Sequence, residues 1–308
     1  MKIYITIFLI SASLLSCRIE PKEQNGPLHI VTTTGIIEDC IKQIVGDSAE
    51  VSSIMGPGTD PHLYKPTPGD VELLDEADII ICNGLHLEGK MAEMLENYSK
   101  EKPVLKISDG IDEKDIIKSA DFADSYDPHI WFDTKIWGQG LEYIANELGK
   151  IDSVNANYYE KNYHDYMLEI TELDVWVRDR LNSIDSTQRI LITSHDAFHY
   201  FGRRYDIEVK GIQGISTLSE VGLKDISDMV DFVLERKIRS IFVETSTSQK
   251  TAQSIADGCL AKKYSVALEG PLYSDALGEP DSEGGTYIGM IRGNVEMIVK
   301  GLKPIPEQ

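Results

Sequence analysis

Residues 153–184 contain neither glycine nor proline, and through them Tyr159, Tyr163, Tyr166, Met167, Ile170, Leu173, Val177 and Leu181 recur at spacings of three and four. Apolar recurrence at that period marks an amphipathic helix, and at about 1.5 Å per residue this one would run roughly 45 Å. A rod of that length in a 308-residue chain lies along the body and divides it. With no residue to bend at, it predicts a stiff connector that permits only small tilts between the parts it joins.

Both flanks read as alternating strands and helices. Before the connector, strands at 29–34, 49–55, 78–82 and 104–107 alternate with helices at 36–46, 67–76 and 88–99, the second opening on the cap and first-turn pair Thr67-Pro68. After it, strands at 190–193, 208–212, 240–243 and 265–268 alternate with helices at 197–205, 221–236, 249–258 and 286–302. Strands that are continuous β-branched runs, separated by helices, imply parallel sheets covered on both faces. The expected fold class is therefore α/β, with two doubly wound domains, each on a mostly parallel sheet, joined by one long backbone helix. The division is a first domain at 27–152, a connecting helix at 153–185 and a second domain at 186–308.

The N-terminus carries one cation, Lys2, then an apolar stretch at 3–10 and small residues leading into Leu14-Leu15-Ser16-Cys17. That layout reads as a signal peptide at 1–16, too short to serve as a membrane span. Its end resembles a bacterial lipobox, in which cleavage leaves Cys17 as a lipid-bearing N-terminus. The polar run at 17–26 then reads as a tether. The expectation is an exported, lipid-anchored protein that meets the membrane through its lipid alone, with its body in the periplasm or on the cell surface.

The formal net charge is −21, one unit more negative once Lys2 leaves with the signal. Such a surface is repelled by nucleic acid and by anionic lipid heads, and it suits a soluble receptor for cations. Beyond Cys17 there remain Cys40, Cys82 and Cys259, an odd number without CxxC spacing. They read as small buried residues, not as a disulfide or thiolate framework.

Two tripeptides repeat, Asp60-Pro61-His62 and Asp127-Pro128-His129, and a third histidine stands in Ser194-His195-Asp196 at the end of an apolar run. A histidine just after a rigid proline is a pre-positioned imidazole, and neutral imidazole is the commonest ligand for zinc-like cations. Ligand sites in open α/β sheets lie outside the carboxyl ends of the strands. His62 follows the second strand, His129 precedes the connector, and His195 follows the first strand of the second half. Asp275 sits in Ser274-Asp275-Ala276-Leu277-Gly278 after the last strand. All four are expected to converge on the cleft between the halves.

The segments Gly58-Thr59-Asp60-Pro61-His62-Leu63-Tyr64-Lys65-Pro66-Thr67-Pro68-Gly69-Asp70, Asn83-Gly84-Leu85-His86-Leu87-Glu88-Gly89, Asp127-Pro128-His129-Ile130-Trp131-Phe132-Asp133, Thr193-Ser194-His195-Asp196-Ala197-Phe198 and Tyr273-Ser274-Asp275-Ala276-Leu277-Gly278 resemble, in order, the signature segments of one family. It comprises the metal-binding lipoproteins, or cluster A-I solute-binding components, of ABC importers for zinc and manganese. The resemblance covers about residues 27–302. It implies paired α/β domains on a backbone helix and a monomeric receptor, not an enzyme, that hands its cation to a membrane permease driven by an ATPase. Carried over residue by residue, it implies His62, His129, His195 and Asp275 as ligands.

Three imidazoles and one carboxylate suit one divalent transition ion, zinc, manganese or ferrous iron, and are too rich in nitrogen for calcium or magnesium. The imidazoles must be neutral to bind, so affinity is expected to fall as pH drops from roughly 7 to 5. Zinc specialists of the family often carry a histidine-rich loop before the second histidine motif; residues 111–126 here are short, acidic and free of histidine. Manganese specialists often place glutamate where this chain has His195. Both metals stay open.

Asp133 and Asp196 read either as partners that orient ligand imidazoles or as helix caps. His86 reads as a loop hydrogen-bonder and His164 as a solvated residue of the connector. His199, four residues after His195, has metal-ligand spacing, although a half-exposed place on the cleft rim is the preferred reading. A zinc-dependent hydrolase would need an open coordination position and a general base, and no HExxH is present. An adhesin-like surface role is the other alternative.

Overall fold

The computed structural model describes residues 26–119 and 125–303. The signal peptide, Cys17 and nearly all of the tether lie outside the described residues, as does the middle of the acidic 111–126 loop. Among the described residues no helix is long and apolar enough to cross a membrane.

The first half contains β1 (Leu28–Thr34), α1 (Gly35–Val45), β2 (Ala49–Met55), α2 (Pro68–Glu76), β3 (Ile79–Cys82), α3 (Ala92–Tyr98) and β4 (Val104–Lys106). Two helices follow, α4 (Thr134–Ile151) and the connector α5 (Ala156–Leu181). The second half contains β5 (Ile190–His195), α6 (His199–Tyr205), β6 (Glu208–Gln213), α7 (Leu223–Arg236), β7 (Ser240–Glu244), α8 (Lys250–Ala261), β8 (Ala267–Leu272) and α9 (Tyr287–Leu302). Each half forms a four-stranded sheet, in orders β2-β1-β3-β4 and β6-β5-β7-β8, with every pair parallel. The winding reverses between β1 and β3, and again between β5 and β7. These are the switch points at which loops from adjacent strands part and leave a crevice.

Helix starts follow local chemistry. Thr34 accepts a bond from Ile37 N at the head of α1, Thr67 and Asp70 form a reciprocal capping box on α2 with Pro68 in its first turn, and Thr286 caps α9. The connector is a single helix of 26 residues, about 39 Å long, and so shorter than the glycine-free run suggests. At its start Asn155 is drawn into a turn by Asp152, through its backbone N–H and its side-chain amide. Tyr159, Tyr163, Tyr166, Ile170, Leu173, Val177 and Leu181 form its buried stripe, and it packs on α1, α4, α6 and α9.

Helix α4 is not among the elements the sequence pattern gives. Gly138, Gly140 and Gly149 depress its helix propensity, yet two of them serve packing. A Cβ on Gly138 would lie 2.5 Å from Met167 Cε of the connector, and one on Gly140 would lie 2.9 Å from the Ile107 carbonyl. Helix α3 begins four residues later than its sequence pattern. Residues 84–91 turn instead, with Leu85 and His86 at positive φ, because the Glu88 carboxylate points inward to accept from Asn83 N and Thr33 Oγ1, both at 2.7 Å.

The core has three parts. One cluster lies under the far face of the first sheet, around Val31, Leu74 and Ile80, and another under the far face of the second, around Ile192, Val233 and Ile241. The third and largest runs without a break from Ile30, Ile41 and Ile81 through Trp137, Leu141 and the connector stripe to Leu191, Phe242, Val295 and Ile298. Hydrogen bonds cross with it: Tyr287 N–H donates to Asp39 at 2.8 Å and Tyr287 O–H to the Trp131 carbonyl at 2.8 Å. Cys40, Cys82 and Cys259 are free and buried, as their spacing suggests.

Candidate metal site

The four residues singled out by the sequence meet between the two sheets. His62, His129, His195 and Asp275 each offer one ligand atom, and these four atoms all lie within 4.8 Å of one another. His129 Nε2 stands 3.3 Å from both His62 Nε2 and His195 Nε2. The Asp275 oxygens lie 3.5 Å from His129 Nε2 and 3.3 Å from His195 Nε2. The cluster is enclosed: His62 is 3% exposed, Asp275 1%, and the other two not at all. Asp275 Oδ1 makes no hydrogen bond although it is buried, a lone pair aimed into the cluster without a donor.

Each side chain is placed by a different device. In both Asp-Pro-His turns the aspartate takes back the histidine's own backbone N–H at 2.9 Å, Asp60 from His62 and Asp127 from His129. Asp127 Oδ1 also receives His129 Nδ1 at 2.7 Å, which leaves Nε2 free to face the cluster. His195 is the last residue of β5, not the first of the loop beyond it, and Glu244 ends β7 across the switch point. Glu244 accepts from His195 N at 2.9 Å and from His195 Nδ1 at 2.5 Å. The loop of Asp275 is pinned on both sides. Trp131 Nε1 donates to the Ser274 carbonyl at 2.9 Å, and the Asn294 amide brackets the Tyr273 backbone at 2.7 and 2.9 Å.

These contacts divide the imidazoles electrostatically. Burial drives the His62 pKa down to about 3, so this ring is neutral. Burial also opposes charge on His129 and His195, but Asp127 prevails at the first and holds its pKa above the ordinary value, while Glu244 and Asp275 hold the second well above it. Burial of Asp275 is likewise outweighed, by His195 and His129, and its pKa falls well below the usual range. Without a cation, the neighbouring carboxylates favour protonation of His129 and His195 over His62.

The remaining candidates lie outside the cluster. Asp133 caps α4 and faces Arg203 and Arg204, and Asp196 accepts from Gly211 N at 2.8 Å, so neither orients a ligand imidazole. His199 stands behind Asp127, its Nδ1 3.4 Å from Asp127 Oδ2 and its Nε2 3.2 Å from Asp196, and those two carboxylates raise its pKa to about 10. It is a charged partner of Asp127 and no member of the four. His86 is exposed in its turn, and His164 faces solvent 4.0 Å from Glu160. The orienting role belongs to Asp127 and Glu244. The first is legible as the aspartate two residues before a histidine; the second shows only as an acid closing an apolar strand, 49 positions from the ring it holds.

Residues 30–301 match the family model described as zinc-uptake complex component A, periplasmic. The chain is 38% identical over 282 residues to the manganese-binding lipoprotein MntA of Bacillus subtilis, covering 92% of each. Among solved structures it resembles the periplasmic zinc-binding protein TroA of Treponema pallidum, with a TM-score of 0.88 and 37% identity over 91% of this chain and all of that one. It also resembles a manganese-bound mutant of the periplasmic metal-binding protein of Candidatus Liberibacter asiaticus, with a TM-score of 0.79 and 27% identity over 90% of this chain and all of that one.

Proposed function

The chain belongs to the family of the periplasmic zinc-uptake complex component A, and from that premise we propose that it is a receptor that carries one divalent transition ion to an ABC-type import permease and its ATPase. The family consists of solute-binding transport proteins, not enzymes. The ion's ligands are His62, His129 and His195 through Nε2, together with the Asp275 carboxylate. The observation that carries this assignment is the spacing of the cluster. Four ligand atoms arranged tetrahedrally about 2.0–2.1 Å from an ion stand about 3.3–3.4 Å apart. Four of the six separations, at 3.3–3.5 Å, match that edge, and all six lie within 4.8 Å. Adjacent corners of an octahedron with bonds of about 2.3 Å have the same edge, so the site accepts zinc or a larger manganese ion, with ferrous iron between them.

In the same reading Cys17 bears the lipid that tethers a monomeric body outside the cytoplasm. The body comprises domains at 27–152 and 186–308 on the 153–185 connector. Relatives carry the word lipoprotein in their names, which supports the anchor.

The test is calorimetric titration of the chelator-stripped mature protein with Zn²⁺ and, separately, Mn²⁺. One ion binds per chain, and each single histidine-to-alanine change weakens binding by orders of magnitude. Unchanged affinity in the double variant His62→Ala, His195→Ala would refute the ligand assignment. Metal analysis of the protein taken from its own host identifies the cargo.

A further inference from the structure

The two Asp-Pro-His turns are alike in sequence and are wired differently. Asp127 holds both the backbone and the ring of its own histidine. Asp60 holds only the backbone N–H of His62, through Oδ1, and turns Oδ2 across the cleft to accept from Thr217 Oγ1 at 2.6 Å. Among the described residues the second ring nitrogen of His62 has no carboxylate partner, so of the three imidazoles this one alone lacks a clamp on its ring.

Thr217 is itself held. The Gln213 side-chain amide donates to the Thr217 carbonyl at 2.8 Å and also to the Ser219 carbonyl. Gln213 ends β6 and is paired in register with His195. A chain of contacts therefore runs from His195 through Gln213 and Thr217 to Asp60 and His62, joining ligands of opposite halves around the outside of the cluster. Thr217 is half-buried in a loop after β6 and is not one of the four candidate ligands.

We propose that the Thr217–Asp60 hydrogen bond is a latch across the mouth of the cleft, and that Thr217 is a positioning residue for His62 that sets how long the ion stays bound. With the latch closed, the His62 turn is fixed against the second half. With it broken, His62 is the ligand free to swing away while His129 and His195 keep their clamps. Capture needs no closed latch, because the ion can meet the three fixed ligands first, so the effect falls on release. The inference rests on His62 being a ligand.

The test uses the mature chain loaded with Zn²⁺ and mixed in stopped flow with excess chelator, beside the association rate measured directly. Thr217→Val keeps the shape and removes the donor; Thr217→Ser keeps the donor. The valine variant is expected to release the ion about tenfold faster, with association within about twofold of the parent, and the serine variant is expected to behave as the parent. An unchanged release rate in the valine variant, or an equal acceleration in the serine variant, overturns the latch. The control His62→Ala separates the two failures. If it leaves affinity unchanged, the ligand assignment has failed; if it weakens binding while Thr217→Val releases the ion at the parent rate, the latch alone has failed.

Discussion

Replacing Glu244 by glutamine probes whether the carboxylate behind His195 governs the strength of the site. Glu244 accepts from two N–H groups of the same residue, the backbone and ring Nδ1, one on each oxygen. That arrangement keeps the ring proton on Nδ1 and the lone pair on Nε2, facing the ion. Glutamine has one acceptor and one donor at the same place. With its oxygen toward the ring, its NH₂ opposes the backbone N–H. With its NH₂ toward the ring, the imidazole must take the tautomer protonated at Nε2, which is not a ligand. Loss of such a partner weakens metal binding about 10–100-fold, or about 1.4–2.7 kcal/mol. The loss should depend on pH. In the metal-free protein Glu244 and Asp275 overcome burial and hold the His195 pKa well above its ordinary value, so a proton competes with the ion. Without the Glu244 charge that proton is held less firmly. The deficit of the variant is therefore full at high pH, where neither form is protonated, and shrinks as pH falls and the parent alone suffers strong competition. Competition titrations with Zn²⁺ at about pH 8.5 and about pH 6, with nitrogen NMR of the His195 tautomer, measure both effects. A loss under about threefold at every pH, with the Nδ1-protonated tautomer retained, would refute the reasoning.

Proton release on binding should come from two imidazoles and not three. His129 and His195 have raised pKa values and must each give up a proton, so affinity climbs with pH beyond about 6.5, whereas His62, held at about 3, is already neutral; calorimetry in buffers of different ionisation enthalpy near pH 6 should find about two protons per ion, and none or three would contradict the electrostatics. Gly140→Ala sets a Cβ against Ile107 Cγ2 and 2.9 Å from the Ile107 carbonyl; it should cost about 1–3 kcal/mol and lower Tm by several degrees without changing metal affinity, and an unchanged Tm would show that α4 can shift. Scattering curves of metal-free and loaded protein should nearly superimpose, since the connector has no hinge and its stripe is buried along its whole length; a change in radius of gyration beyond about 1.5 Å would be wide closure and would contradict that view.

The fold was legible where hydrophobic period and cap chemistry agree. Seven strands fall within two residues of their expected runs, and α2 starts on its Thr67-Pro68 signal; β8 does not, running Ala267–Leu272 without a β-branched residue where the sequence pattern gives 265–268. It was illegible where tertiary packing overrides local preference. In α4 Gly138 and Gly140 lower helix propensity, yet a Cβ there would meet Met167 and Ile107, residues distant in sequence. In 84–91 an inward carboxylate, not a cap, decides where the helix begins. The candidate ligands were legible because proline and the ends of strands advertise them. Their supports were not: Glu244 and Thr217 belong to elements whose neighbours are set by sheet order, and nothing local in the sequence encodes that order. How the pH dependence divides among the three imidazoles was illegible for the same reason, since burial of His62 and the partner carboxylates of the other two are tertiary facts.

The apolar cluster that passes from Ile30 through the connector to Val295 belongs to neither sheet alone. Each half has a private layer beneath its far face, but the near faces share one interior, so a fragment cut at the connector would expose a broad apolar surface. The halves are therefore bound to melt as one cooperative unit. Any free energy gained at the cleft is then felt by the entire chain: free ion at a hundred times its Kd adds about 2.7 kcal/mol against global unfolding. A loaded receptor would open far less often to a protease than an empty one, and the abundance of the protein would rise and fall with the supply of the ion it carries.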